Sequence, residues 1–157
     1  MVHHKLKCIV QDRANLEASF DTACPATLAD RVSFQVHDFF TPQPVHAADV
    51  YLFKNILLDW SDPYAIKILK QVVPVMKASS RILIMESVIP PSGTVPFAVA
   101  RMMSGLDIHM LTALNSKERT AEDWVALLNG ADERLTLNAI NQPPGSVFAV
   151  IEAVLHN

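Results

Sequence analysis

Short apolar runs bounded by turn residues alternate with helix-spaced patterns along this 157-residue chain. Residues 6–12, LKCIVQD, predict a strand that ends in an acid, and 15–24, NLEASFDTAC, a weak helix stopped at Pro25. In 31–40, RVSFQVHDFF, Val32, Phe34 and Val36 alternate with Ser33, Gln35 and His37, which is the two-residue period of a strand. The stretch 48–58, ADVYLFKNILL, is almost continuously apolar and follows a Pro-rich loop, as expected of a strand covered on both faces. Residues 61–78 predict a helix capped by Ser61 or Asp62, with Pro63 in its first turn and Pro74 kinking or ending it. The clearest buried strand is 80–90, SRILIMESVIP. Apolar residues recur at helical spacing over 96–114, and a further helix over 120–132 opens on a Thr120 cap with acids in its first turn and stops at Gly130. Residues 134–140 and 146–156, joined by NQPPG, predict a hairpin.

Strand, helix, strand, helix and a terminal antiparallel pair describe an α/β sheet with one reversed edge, in a single domain over 1–157. Half of the residues are hydrophobic and 18% are charged, ample for a buried core. A formal net charge of -3 leaves no electrostatic footprint for nucleic acid. Neither a run of 18 apolar residues nor a signal-peptide core is present, so the expectation is a cytoplasmic protein without a membrane partner. Cys8 and Cys24 are too few for a zinc site, and Cys8, inside an apolar strand, reads as a buried free thiol. His3, His4, His46 and His156 lack ligand spacing, so no metal is expected. Four glycines against ten prolines leave few places for the backbone to approach a phosphate or cofactor closely.

Three stretches, VQDR near the start, VHDFFTPQPV…ADVYLFKNILLDWSD in the middle and NSKERTAEDW later, together resemble the catalytic domain of S-adenosylmethionine-dependent O-methyltransferases of the fungal and plant type that act on phenolic and polyketide hydroxyls. Order and spacing agree from about Lys5 to Glu152. The resemblance implies an incomplete Rossmann-like methyltransferase sheet, with its first strand and its glycine-rich cofactor loop missing. Helices lie on both faces, and the C-terminal hairpin is antiparallel. Gly93, Gly105, Gly130 and Gly145 are scattered, none in a strand-to-helix turn. Loss of a central strand would bare two inner edges, those of 6–12 and 49–56, which predicts a homo-oligomer or a heteromeric partner.

The resemblance also assigns residues. Asp12 corresponds to the acid that accepts from the cofactor ribose, although an acid in that place also serves as a helix cap. Asp38 and Phe39 correspond to the pair that contacts the adenine, or to a turn acid and a core aromatic. Lys54 matches a basic residue near the cofactor, or is a solvated lysine at a strand end. At Leu58 the family typically reads His-Asp-Trp, and that histidine takes the proton from the substrate hydroxyl. Leucine accepts no proton; Asp59 and Trp60 remain. A positioned base is worth roughly 10² to 10⁴ in rate. On a strand, Asp59 would point opposite to residue 58 and could replace it only if the backbone shifted.

Glu86 and Glu118 match the two glutamates that flank the base, with Glu118 alternatively a cap neighbour paired to Arg119. Met102, Met103, Asp107, His109 and Met110 match the helix that lines the substrate pocket, though a Met-rich helix also reads as plain core. His37 and His109 are stand-in bases or structural residues. Two departures, in the cofactor loop and the base, point to a methyltransferase-like protein that binds a small aromatic or polyketide ligand. Its reaction would be a cyclisation, isomerisation or elimination served by Glu86, Glu118 or Asp59. A methyltransferase completed by another chain, and a non-enzymatic partner of a longer relative, are the alternatives.

Overall fold

The computed structural model describes residues 5–156, so His3 and His4 lie outside it. Its elements are β1 (Cys8–Asp12), α1 (Glu17–Ala23), β2 (Val32–Val36), β3 (Val50–Lys54), α2 (Asp62–Val72), β4 (Arg81–Glu86), α3 (Phe97–Leu114), α4 (Ala121–Ala131), β5 (Leu135–Asn141) and β6 (Ala149–Leu155). The fold is mixed α/β, as the pattern predicts. The chain divides into two compact units, one reaching to Gln43 and the other beginning at Pro44.

In the first unit β1 and β2 pair in parallel with Cys8 opposite Val32 and Asp12 opposite Val36. Gln11 and Gln43 exchange side-chain hydrogen bonds at 2.8 Å, and Phe20 of α1 packs on Phe34 of β2 with ring centroids 5.3 Å apart. Cys8 is exposed and not buried as the apolar run implied. An apolar neighbourhood in sequence buries a thiol only where a second layer covers the strand, and Ile9 and Val10 beside it are also exposed.

The second unit holds a four-stranded sheet in the order β3-β4-β6-β5. β3 and β4 run parallel, while β6 is antiparallel to both β4 and β5, which gives the expected terminal hairpin. One face carries Tyr51, Ile82, Ile84, Ile151 and Ala153, packed into the core with Ala65, Ile68, Leu69 and Val72 of α2 and Trp124, Leu127, Leu128 and Ala131 of α4. β3 is an edge strand covered on one face and not on both as predicted: Tyr51 is buried, whereas Val50 is 46% and Leu52 58% exposed. The outer edges of β1, β2, β3 and β5 have no ladder partner among the described residues.

Local signals explain most element ends. Pro74 ends α2 in a 3₁₀ turn over Val73–Val75. Ser61 is the N-cap of α2 through its backbone, without a side-chain cap bond. Thr120 and Asp123 form a reciprocal capping box at the start of α4. Gly130 does not stop α4, which continues to Ala131. Its missing side chain instead admits α2, since a Cβ there would meet Ile66 Cδ1 at 2.8 Å. The helix read either as core or as pocket wall, α3, buries only Met110; Phe97 is 82% and Ile108 62% exposed.

Candidate functional site

The second unit converges on the turn after β3. Asn55 takes the left-handed conformation at φ 53°, which asparagine tolerates better than most residues. Its N–H bonds to the Met85 carbonyl at 3.2 Å, and the chain then leaves the ladder and winds into a 3₁₀ turn over Leu57–Asp59. Leu58 is therefore on a helical turn and not on a strand. Asp59 lies about a third of a turn from it instead of on the opposite face.

Three buried side chains hold this turn. Glu86, at the end of β4 and 1% exposed, accepts the Ile56 N–H at 3.1 Å and the Leu57 N–H at 2.7 Å. Ser116 donates to the carbonyls of Leu58 at 2.5 Å and Trp60 at 3.0 Å. Arg119, also 1% exposed, donates from Nη1 to the Leu57 carbonyl at 2.8 Å and from Nη2 to the Trp60 carbonyl at 2.7 Å. Its Nε reaches Asp62 Oδ1 at 3.0 Å, and its guanidinium carbon lies 5.2 Å from the Trp124 ring centroid.

Ser116 to Thr120 form a hub tied to the turn, α2, α3 and α4. Lys117 pairs with Asp62 at 3.3 Å and with Asp123 at 2.7 Å. The Glu118 carboxylate accepts from the Ser87 hydroxyl, and the Glu118 N–H donates to Asp107 of α3 at 2.9 Å. Ile89 N–H bonds to the Arg119 carbonyl, and Thr120 begins α4. Glu118 thus does not pair with Arg119; each takes a separate partner.

Burial pushes the Glu86 carboxyl up to about 7, opposed by the amides of Leu58, Leu57 and Ile56 and by the Arg119 charge. One of its oxygens, Oε2, is buried with no hydrogen-bond partner among the described residues. Partial burial also raises Asp59. The hydrogen bond to Asp123 raises Lys117 and holds Asp123 low.

Of the residues singled out from sequence, Leu58, Asp59, Trp60, Glu86, Glu118, Asp107 and Met110 belong to this neighbourhood through the turn, the hub and α3. Leu58, Trp60 and Asp107 are half-buried, Asp59 is exposed, and Glu86, Glu118 and Met110 are buried. Met103 is half-buried, Met102 and His109 exposed, and Lys54 is exposed at the end of β3. Among the described residues no group of three His, Cys, Asp or Glu could hold a metal ion.

Asp12, Asp38 and Phe39 lie in the first unit. Asp12 ends β1 and accepts the Arg13 N–H at 2.8 Å; Asp38 accepts the Phe40 N–H at 2.9 Å. Both carboxylates are exposed at the C-terminal ends of parallel strands, and Phe39 is half-exposed beside Phe40. Burial lowers His37, against the charge of Asp38.

Sequence reasoning missed Ser116 and Arg119. No local signal marked them, because their partners lie 56 to 62 residues away along the chain.

The O-methyltransferase domain model matches residues 2–132. O-methyltransferase pgmB of Aspergillus terreus is 44% identical over 140 residues, 88% of this chain and 32% of that protein. O-methyltransferase VdtC of Byssochlamys spectabilis is 43% identical over 154 residues, 95% of this chain and 36% of that one. The structure of LepI in complex with SAM superposes with a TM-score of 0.83 at 34% identity, covering 96% of this chain and 36% of LepI. The chain thus spans about a third of the length of the curated relatives it matches. It belongs to the O-methyltransferase family.

Proposed function

We propose that the chain binds a small aromatic or polyketide ligand against the 56–60 turn and does not itself transfer a methyl group. The reaction this site suits is a cyclisation, isomerisation or elimination within the bound ligand. The observation that carries this is Leu58, held half-buried in a fixed turn where a proton acceptor is needed for hydroxyl methylation. A solved structure described as a pericyclic reaction enzyme, 34% identical to this chain over 96% of its length, supports the idea that this fold serves chemistry other than methylation; LepI is also solved with SAH and a substrate analogue. Asp59, exposed and adjacent to Leu58, is the acid placed to handle a proton; Glu86 and Glu118, both buried, support the turn and the hub around it.

S-adenosylmethionine is the cofactor that the family implies. Exposed Asp12 and Asp38 suit ribose hydroxyls and the adenine amino group, and Phe39 offers a ring to the adenine. Lys54 is a further cationic candidate. Bound, the cofactor would supply an electrophilic methyl group. The bare edges of β1 and β3 favour a homo-oligomer or a heteromeric partner.

The test pairs calorimetry with phenolic and polyketide ligands and an assay for S-adenosylhomocysteine release. Ligand binding without release is expected, and placing histidine at Leu58 should restore measurable release if the cofactor is bound. Methyl transfer by the unaltered chain would overturn the reading. A second reading, genuine methyl transfer completed by a further segment or chain, is favoured by the identity to pgmB and VdtC.

A further inference from the structure

We propose that Leu58 is the specificity-determining residue of this site and that Ser116 and Arg119 are positioning residues that present it. The site would then select a flat ligand with an alkyl or O-alkyl group, in place of a free hydroxyl, against the turn. This rests on the ligand-binding reading above and adds the class of ligand.

The frame is the first observation. The amides of Ile56 and Leu57 are held by Glu86, and the carbonyls of Leu57, Leu58 and Trp60 by Ser116 and Arg119. A turn gripped from both its donor and acceptor sides has little freedom to re-aim its side chains. Burying an arginine and a glutamate to 1% exposure is costly unless both are well paired, and here both are committed to holding the turn.

The second observation is what the frame leaves to a ligand. Arg119 spends its guanidinium on Leu57, Trp60 and Asp62. The unpartnered oxygen of Glu86 is enclosed by the protein. Neither can serve a ligand placed on the outer side of the turn. Leu58 is half-buried and has no donor or acceptor, and Asp59 is displaced from it by about a third of a turn.

A hydroxyl set against Leu58 would lose its water without gaining a partner, a loss that an ether or methyl group does not incur. The same leucine gains from burying added apolar surface. Selectivity therefore arises from the side chain at 58, and its sharpness from the clamp that prevents the turn from yielding.

The experiment measures, by calorimetry on the full chain, affinities for 2-naphthol and 2-methoxynaphthalene. The expected result is a preference for the ether of about tenfold or more, since an unpaired hydroxyl and lost apolar contact act together. Leu58→Asn should reduce that preference about tenfold, and Leu58→Met should keep it. Ser116→Ala and Arg119→Lys should erode it although circular dichroism shows both variants folded. A purely structural role would lower stability and leave the ratio alone. Ser116→Ala removes only one hydroxyl, so the test stands if the arginine variant fails to fold. An unchanged ratio in Leu58→Asn overturns the inference, as does an unchanged ratio in folded Ser116→Ala. If both probes bind without preference, this inference falls and the ligand-binding reading survives. If neither binds, both fall.

Discussion

The Glu86 carboxylate accepts the Leu57 N–H at 2.7 Å from a position that is 1% exposed, which joins the end of β4 to the turn after β3. Burial raises its carboxyl from 4.5 to about 7. The folded state then binds this proton more tightly than the unfolded chain, so the contribution to stability is greatest below pH 4.5 and falls as pH rises to about 7. The full swing is about 3 kcal/mol. Urea unfolding of the wild type and Glu86→Gln across this range should show the glutamine variant with the flatter pH dependence. Equal slopes in the two proteins would refute the assignment.

Arg119→Ala removes the cationic donor from the carbonyls of Leu57 and Trp60, while Asp62 keeps its pair with Lys117. Loss of hydrogen bonds from a buried charged donor costs about 1.5–3 kcal/mol. Arg119→Lys should fall between, because one ammonium cannot match a planar fork that serves three acceptors. Chemical denaturation of the three proteins checks the order.

Gly130→Ala sets two effects against each other. The helix gains about 1 kcal/mol from propensity, while the new Cβ must displace Ile66 Cδ1 from 2.8 Å. That methyl is the far end of a flexible side chain, so the net change should stay within about 1 kcal/mol. Gly130→Val should cost about 1–3 kcal/mol, and Ile66→Ala in the same chain should recover part of it. Thermal unfolding of the single and double variants measures this coupling.

Leu52 is 58% exposed on the edge strand β3. Self-association through this edge should appear in sedimentation velocity at micromolar concentration. Leu52→Lys should shift the distribution toward the monomer with little change in unfolding free energy, because the side chain buries little within the chain. A wild type that sediments as a monomer throughout would count against the edge as an association surface.

How far the chain could be read in advance followed physical lines. Elements with strong local codes came through: the alternation of β2, Pro74 at the end of α2, the Thr120 cap and the hairpin ladder. Exposure did not, because it depends on layers that a single strand's pattern does not encode. Cys8, Val50 and Leu52 read as buried and stand exposed. Gly130 carried a stop signal in sequence and a packing role in space. At the site, Leu58, Glu86 and Glu118 were legible through the family pattern. Ser116 and Arg119 were not, since their partners lie 56 to 62 residues away.

The hub from Ser116 to Thr120 sets a limit on how the chain can change in length. Residues 116 to 119 are tied to the 57–60 turn, α2, α3 and the chain after β4, so inserting one amino acid would move every subsequent contact to the wrong neighbour at once. Between β5 and β6, by contrast, Gln142 to Ser146 lie at the exposed tip of a hairpin, where added length can simply loop outward.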